Sequence, residues 1–345
     1  MKMLALLFLL AVSTVGRAQF TFTTNNGAIT LTGYSGTGGN VVIPETTNGW
    51  PVINIGSGAF SNKLTLTSVA IPNNVTNLGT NAFYLCAGLT NVSFGTGLLA
   101  IGHGSFYGCK KLPAVTIPDT VRSLGSNVFN QCVSLTNVVI GNAIANLDNA
   151  AFQACSNLAR VVIPNSVTNL GTNVFYSCAS LTNVTLGGNV RNLGPGAFQG
   201  CAALPAIVFP GSVTSIGDGT FRGCSHLGSV TVPGSVTNLG FAVFNGCTGL
   251  VTAVIGNQVP GLRGTFNGCI RLQNVTIGTN VAIISLSAFQ SCGSLTNVLL
   301  PAALTNLVTP EFRQCTNLLA INLDPGNPNY SSEMVWCSTN PKPRW

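Results

Sequence analysis

Eleven cysteines recur at a nearly constant interval along this chain of 345 residues. Each stands at the twenty-third position after the one before, except that Cys269 follows Cys247 one position early. Thiols spaced in this way could pair into disulfides, bind a metal ion, or pack unpaired as small apolar side chains. The eleven residues are Cys86, Cys109, Cys132, Cys155, Cys178, Cys201, Cys224, Cys247, Cys269, Cys292 and Cys315.

The regular spacing favours unpaired cysteines. Equivalent residues in stacked turns lie about 4.8 Å apart with parallel Cα–Cβ bonds, whereas a disulfide needs Cβ atoms about 3.8 Å apart that turn towards each other. Disulfides between some neighbours are an alternative, and so is metal binding, although the sequence has no C-x-x-C motif of the kind that holds zinc. We therefore predict a column of buried free thiols.

The remaining residues offer little for catalysis. The two histidines, His103 and His226, occupy different positions of the repeat. The seven acidic residues share no position that would pair two carboxylates for general acid–base catalysis. We expect that the protein is not an enzyme, and we predict no catalytic, metal-binding or cofactor-binding residues and no cofactor.

A larger pattern surrounds each cysteine, with a phenylalanine three positions before it and a leucine three positions after it. The repeat generalises to L-T-N-V-x-I-[PG]-x-x-V-x-x-L-G-x-x-x-F-x-x-C. A unit this short cannot bury its own apolar side, so the units must stack into a solenoid. The phenylalanines from Phe83 to Phe244 should then form an aromatic column beside the cysteines.

The apolar spacing within each unit matches the strand signature of leucine-rich repeats. Val184 and Leu186 illustrate the alternation of a strand, which Gly187 ends. Strands that hold Val138 and Val161 should be adjacent. After the strand, one face of a short helix is indicated by Ala82, Phe83, Cys86 and Leu89. The predicted fold is an α/β solenoid, a right-handed superhelix of leucine-rich repeats with the same period as the cysteines, with a parallel sheet on one face and short helical turns on the other.

The ends of the chain depart from the repeat. Residues 1–18 have the charge, apolar segment and small-residue cleavage site of a signal peptide. Residues 19–40 are predicted to form a capping hairpin, because two alternating segments flank Asn25, Asn26 and Gly27. The solenoid is expected over residues 41–337, in about twelve turns, and residues 338–345 form a C-terminal tail.

Charge is scarce: 6% of residues are charged, against about 25% in ordinary soluble domains. Loss of the N-terminal segment removes Lys2 and Arg17, which leaves 12 of the 14 basic residues against seven acidic ones, a net charge of +5. The basic residues are scattered over different repeat positions, so we expect no nucleic-acid partner. We expect a monomer, secreted or held at the cell surface or in the periplasm, with no transmembrane segment once the signal peptide is removed.

Three segments resemble the BspA-like leucine-rich repeat family of bacterial cell-surface and secreted proteins. They are IPNSVTNLGTNVFYSCASLTNV at residues 163–184, TTNNGAITLTGYSGTGGNVVIP at 23–44 and NPNYSS at 327–332. The resemblance implies a right-handed solenoid, export and, in many members, adhesion, but no particular ligand. The chain departs from the general repeat where an asparagine usually follows the strand, since that position holds Asn74, Gly97, Thr120, Ala143, Ser166 and Gln258.

The functional hypothesis is an exported binding module that recognises an extracellular protein or glycan through its strand face. The outward positions of that face are a mixture of Asn, Thr and Val. The alternative is a structural surface-coat or lattice-binding solenoid without a specific ligand, although Val139, Val162 and Val208 interrupt the regular threonine files that a lattice binder would need. The predicted binding residues are Asn91, Thr116, Asn137, Arg160, Asn183, Thr185, Ser229, Thr231, Asn274 and Thr276.

Overall fold

The computed structural model describes residues 19–307 and 311–330. Within these ranges the chain forms a solenoid of the right-handed type, with a repeat of ~23 residues and parallel pairing between the strands of successive turns. The predicted solenoid and its repeat length are therefore confirmed. The predicted signal peptide at residues 1–18 and the predicted tail at 338–345 lie outside the described residues.

The described chain contains 27 strands, most of them only two or three residues long. In chain order they are β1 (Phe20–Asn25), β2 (Ala28–Tyr34), β3 (Gly39–Val42), β4 (Thr46–Thr47), β5 (Trp50–Ile55), β6 (Leu66–Ala70), β7 (Asn77–Leu78), β8 (Asn91–Ser93), β9 (Ala100–Ile101), β10 (Ala114–Thr116), β11 (Ser123–Leu124), β12 (Asn137–Val139), β13 (Asn146–Leu147) and β14 (Arg160–Val162). The others are β15 (Asn169–Leu170), β16 (Asn183–Thr185), β17 (Asn192–Leu193), β18 (Ser215–Ile216), β19 (Ser229–Thr231), β20 (Asn238–Leu239), β21 (Thr252–Val254), β22 (Gly261–Arg263), β23 (Asn274–Thr276), β24 (Ile283–Ser285), β25 (Asn297–Leu300), β26 (Asn306–Leu307) and β27 (Ala320–Leu323).

Every turn but the one between β16 and β19 contributes one strand to what we call the broad face, made of β3, β6, β8, β10, β12, β14, β16, β19, β21, β23, β25 and β27. Strands β12 and β14, which hold Val138 and Val161, are neighbours as predicted. The ladder of hydrogen bonds is interrupted between β8 and β10, between β16 and β19, and between β23 and β25. The first two interruptions coincide with a proline, Pro113 and Pro205, because proline has no N–H to donate to the preceding turn.

A second strand in each turn lies on another face, in three successive hydrogen-bonded sheets that the sequence did not indicate. This second face comprises β5, β7, β9, β11, β13, β15, β17, β18, β20, β22, β24 and β26. In the typical two-residue strand β15, Leu170 is buried and Asn169 points outward. Two residues are too few to show the alternation that identifies a strand in a sequence.

The third side of each turn does not contain the predicted short helix. No helix is present anywhere in residues 19–307 and 311–330, so this part of the predicted fold class is wrong. The cause is the backbone on either side of each column phenylalanine. Around Phe175, for example, both Asn173 and Ser177 have φ of 57°. A right-handed helix requires a negative φ at every residue, so left-handed residues four positions apart leave no room for one.

The left-handed residues on either side of each phenylalanine direct backbone N–H groups along the solenoid axis. The amide nitrogens of Asn173, Phe175 and Ser177 donate to carbonyl oxygens of the next turn over 2.9, 2.8 and 2.8 Å. The third side is thus hydrogen-bonded from turn to turn, like the two sheets. Local turn bonds alternate with these axial bonds, since the amide nitrogens of Tyr176 and Cys178 donate to the carbonyl oxygens of Asn173 and Phe175, and together they satisfy the backbone of so short a repeat.

Twelve buried phenylalanines form the predicted aromatic column along the third side. Successive ring centroids are 4.8 to 5.7 Å apart, and the rings deviate from parallel by 3 to 23°. The column comprises Phe60, Phe83, Phe106, Phe129, Phe152, Phe175, Phe198, Phe221, Phe244, Phe266, Phe289 and Phe312. At its N-terminal end, Tyr34 from the hairpin of β1 and β2 stacks on Phe60 at 5.1 Å.

The eleven periodic cysteines are free and buried beside this column. Each Sγ donates a hydrogen bond to the carbonyl oxygen of a phenylalanine in the preceding turn, over 3.0 to 3.4 Å. Burial raises the pKa of Cys132, Cys178 and Cys247 to about 12. These three thiols stay protonated at neutral pH and can act as donors. Among the described residues, no group of His, Cys, Asp or Glu could hold a metal ion.

The free-thiol column predicts how the protein reacts with a thiol reagent. A Cys337→Ser variant retains only the eleven periodic cysteines of the twelve in the chain. Unfolded in denaturant without a reductant, it should titrate close to eleven thiols with Ellman's reagent. The native variant should titrate close to none at pH 8, because burial makes the thiols inaccessible to the reagent. A denatured value near zero would show that the cysteines are paired.

Candidate functional site

The ten predicted binding residues all lie on the broad face and are all exposed. They are distributed over β8, β10, β12, β14, β16, β19 and β23. The strand register brings three of them into one column, because Asn137 pairs with Arg160 and Arg160 pairs with Asn183. Since adjacent strands are about 4.8 Å apart, these side chains can contact a single ligand.

Three shallow depressions lie along this face, in neighbouring turns. Their volumes are about 480, 720 and 510 Å³. The largest has Asn137, Val139, Arg160, Val162 and Thr185 among its lining residues. Six of the ten predicted site residues line one of the three depressions, namely Asn91, Thr116, Asn137, Arg160, Asn183 and Thr185.

Exposed aliphatic side chains accompany the polar ones on the broad face. Val139, Val162 and Val208 are 48%, 61% and 80% exposed. Val139 lies beside Thr116, and Val162 lies beside Thr185, in the second outward column. Single exposed valines are ordinary on a surface, but a row within depressions is typical of surfaces that contact a partner.

The asparagines on the two sheets differ in their hydrogen bonding. On the second face, Asn169 Nδ2 donates to Asn146 Oδ1 over 2.7 Å, and Asn192 Nδ2 donates to Asn169 Oδ1 over 2.5 Å. Farther along that face, Asn238 Nδ2 donates to Ser215 Oγ over 2.9 Å. The sequence did not reveal this ladder of amides, because the two-residue strands that carry it have no recognisable pattern.

On the broad face, by contrast, the amides of the predicted site residues are unpaired. None of the ten predicted site residues forms a side-chain hydrogen bond within the described part of the chain. The neighbours of Asn183 explain this, because the flanking turns offer Arg160 and Ala206 at the same position rather than another amide. The carboxamides of the predicted site residues therefore keep both a donor and an acceptor available to a ligand.

Charge on the broad face is limited to one residue of its described strands, Arg160. No ion pair forms among residues 19–307 and 311–330, so its guanidinium has no acidic partner there. The basic residue Lys110 is exposed on the turn that follows Cys109, away from the strands. The site thus combines one cation with neutral amides and aliphatic groups.

Three of the acidic side chains bind the backbone of neighbouring turns. Asp119 Oδ1 accepts from the Asn142 amide nitrogen over 2.8 Å, and Asp218 Oδ1 accepts from that of Phe241 over 2.7 Å. Glu311 is 3% exposed, and its Oε2 accepts from the Ala288 nitrogen. These contacts give each of the three carboxylates a structural task.

The repeat sequence matches a known family over most of the chain. The family described as BspA type leucine-rich repeat region matches in six copies, over residues 40–159, 146–263 and 262–340. The chain belongs to this family. Membership fits the geometry above, since the matched residues include every broad-face strand that carries a predicted site residue.

Solved structures of bacterial leucine-rich repeat proteins are similar to this BspA-type chain. A leucine-rich repeat protein from Bacteroides ovatus is 26% identical, with a TM-score of 0.72, over 89% of this chain and 88% of the other. A leucine-rich cell surface protein from Faecalibacterium prausnitzii is 28% identical, with a TM-score of 0.53, over 88% of this chain and 93% of the other. The leucine-rich repeat protein of T. pallidum is 31% identical, with a TM-score of 0.52, over 55% of this chain and 89% of the other.

A search among curated protein sequences gives no match to this chain. Across the described ranges, no helix has the length and apolar character needed to cross a bilayer.

Proposed function

We propose that this BspA-type protein is an exported, non-catalytic binding module that recognises an extracellular protein or glycan through its broad face. It acts as a monomer, needs no cofactor and does not bind nucleic acid. The family and the cell-surface description of the Faecalibacterium relative support an extracellular role. The proposed site comprises the outward side chains of β8 to β23 on the broad face.

One observation carries the proposal, which is the difference between the two sheets. Both present exposed asparagines, but those of the second face include amides bonded to their neighbours in the adjacent turn. The asparagines among the ten predicted site residues have unpaired amides. Several of them lie in depressions of the broad face, next to exposed valines. Amides that hydrogen-bond to each other between turns stabilise a solenoid, whereas unpaired amides on a concave surface are suited to ligand recognition.

A binding screen tests the proposal. The protein from residue 19 onward is immobilised and exposed to matrix proteins, a glycan array and whole cells, and each ligand found is then measured against variants. Asn183→Ala should weaken binding roughly two- to tenfold, which corresponds to the loss of one hydrogen bond. Arg160→Ala should weaken it by at least as much.

Two controls leave the proposed site intact. Asn192→Ala removes an exposed asparagine of the same type from the second face, and Lys110→Ala removes a cation from the turn after Cys109. Neither should change the affinity for a broad-face ligand. If these two variants weaken binding while the broad-face variants do not, the site lies elsewhere on the solenoid and the proposal is wrong.

A further inference from the structure

We infer that the broad face binds an extended polypeptide segment that places an acidic side chain over Arg160 and aliphatic side chains over the neighbouring valines. This inference rests on the proposed function and adds the chemical class of the partner. It follows from three properties of the depression around β12, β14 and β16: its charge, its apolar groups and its free amides.

The charge of the depression calls for an anionic partner. Arg160 is the only charged residue in the described broad-face strands, and no acidic side chain in the described ranges pairs with it. An arginine guanidinium has donors arranged to bind a carboxylate through two parallel hydrogen bonds. Asn137 and Asn183 flank Arg160 in the same column, so neutral donors surround the position that the carboxylate would take.

The apolar groups favour a polypeptide over a sugar chain. Val139 and Val162 lie in the column beside Asn137 and Arg160, and both are about half exposed or more. The described residues that line this depression include no aromatic ring on which a sugar could stack. Aliphatic side chains, which peptides carry and glycans do not, would bury the valines and gain hydrophobic free energy.

The free amides complete the match to a polypeptide. A carboxamide presents one acceptor and two donor hydrogens, and so complements the C=O and N–H groups of an extended backbone. Asn91, Asn137 and Asn183 occupy the same column, each separated by one turn without an asparagine. A chain laid along the solenoid axis would meet an unpaired amide at every second turn.

Selection from a phage-displayed library of random dodecapeptides tests this inference. The library is panned on the protein from residue 19 onward, and in parallel on Arg160→Gln, Val162→Asp and Asn192→Ala variants whose folding is checked by circular dichroism. Peptides enriched on the unmodified protein and on Asn192→Ala should contain Asp or Glu next to Val, Ile or Leu. Changing the peptide's acid to its amide should weaken binding about tenfold to the unmodified protein and leave binding to Arg160→Gln unchanged.

The outcomes separate this inference from the proposed function. Enriched peptides without an acid, which bind Arg160→Gln equally but fail on Val162→Asp, would overturn the acidic partner and leave the broad face as the site. Failure to select acidic peptides, together with binding of oligogalacturonate that Arg160→Gln abolishes, would replace the polypeptide by an anionic glycan. Selected peptides that bind Arg160→Gln and Val162→Asp as well as the unmodified protein would overturn both proposals.

Discussion

Replacing Phe175 by alanine is expected to lower the free energy of unfolding by about 3–5 kcal/mol, as for other deletions of a buried phenylalanine. The Phe175 ring is fully buried, between Phe152 at 5.5 Å and Phe198 at 5.4 Å. Its removal takes away contacts on both faces and leaves a cavity that the two neighbouring turns cannot close, because their own spacing is fixed by backbone hydrogen bonds. Urea denaturation followed by circular dichroism measures the change.

Phe241→Ala is the matched control for this experiment. Phe241 is 47% exposed at a corner of the solenoid and does not belong to the buried column. Its loss should cost less than about 1 kcal/mol. A Phe175→Ala variant as stable as Phe241→Ala would mean that the stacked rings contribute little to the core.

The shape of the unfolding transition should change as well. Each turn contacts mainly its neighbours, so solenoid stability is approximately a sum of turn stabilities and of terms between adjacent turns. A defect at Phe175, in the middle of the column, weakens the coupling between the N-terminal and C-terminal turns. We expect the single transition to broaden or divide into two for Phe175→Ala.

The buried columns were predictable because their periodicity leaves little choice. Phe175 and Cys178 represent positions that recur in turn after turn, and in a stacked fold equivalent positions must contact one another. Their burial follows from their apolar character. The register of the broad face was predictable for the same reason, which is why all ten site residues lie on it as a set.

The third side was not predictable, because its conformation depends on the sign of φ. The left-handed positions on either side of the phenylalanines include asparagine and glycine, which favour that conformation, but also Ala150, Ala154 and Leu85, which do not. An i, i+1, i+4, i+7 apolar pattern therefore looked helical. The hydrogen bonds that stabilise the left-handed residues join positions in adjacent turns, far apart in the sequence, and so have no local signal.

The distinction between the two asparagine sets depends on neighbours in other turns. Asn183 and Asn192 are the same residue type and both are exposed in a strand. Asn192 meets Asn169 across the turn, whereas Asn183 meets Arg160. Once the position of the short second strand is known, the repeat spacing identifies the amides that can bond to each other, because residues one repeat apart are neighbours in adjacent turns.

Replacing Cys178 by aspartate should make the stability of the protein strongly dependent on pH. The Cys178 side chain is fully buried, and its Sγ donates to the Phe152 carbonyl over 3.2 Å. A carboxylate there would have no cationic partner, so burial would raise the pKa of the introduced aspartate well above its unfolded value of about 3.9. The variant should be less stable than the unmodified protein at every pH, because even the neutral acid disturbs a packed column.

The sign of the pH dependence follows from proton binding. With the folded-state pKa above the unfolded one, the folded variant holds its proton while the unfolded chain loses it. Stability is therefore greatest below about pH 4 and falls by about 1.4 kcal/mol for each pH unit towards the folded-state pKa. Between pH 4 and pH 7 the loss would reach about 4 kcal/mol, enough to unfold the central turns.

Cys178→Ser separates the effect of charge from that of substitution. The serine hydroxyl can donate to the same Phe152 carbonyl, carries no charge in this pH range and should reduce stability by only about 1 kcal/mol. The difference in unfolding free energy between Cys178→Asp and Cys178→Ser, measured by urea denaturation at pH 4 and pH 7, isolates the carboxylate. Because burial already raises the pKa of the native thiol to about 12, Cys178 in the unmodified protein is neutral at both values. A difference that does not change with pH would mean that water or a counter-charge reaches position 178, and that the cysteine column is not the dry interior inferred from its burial.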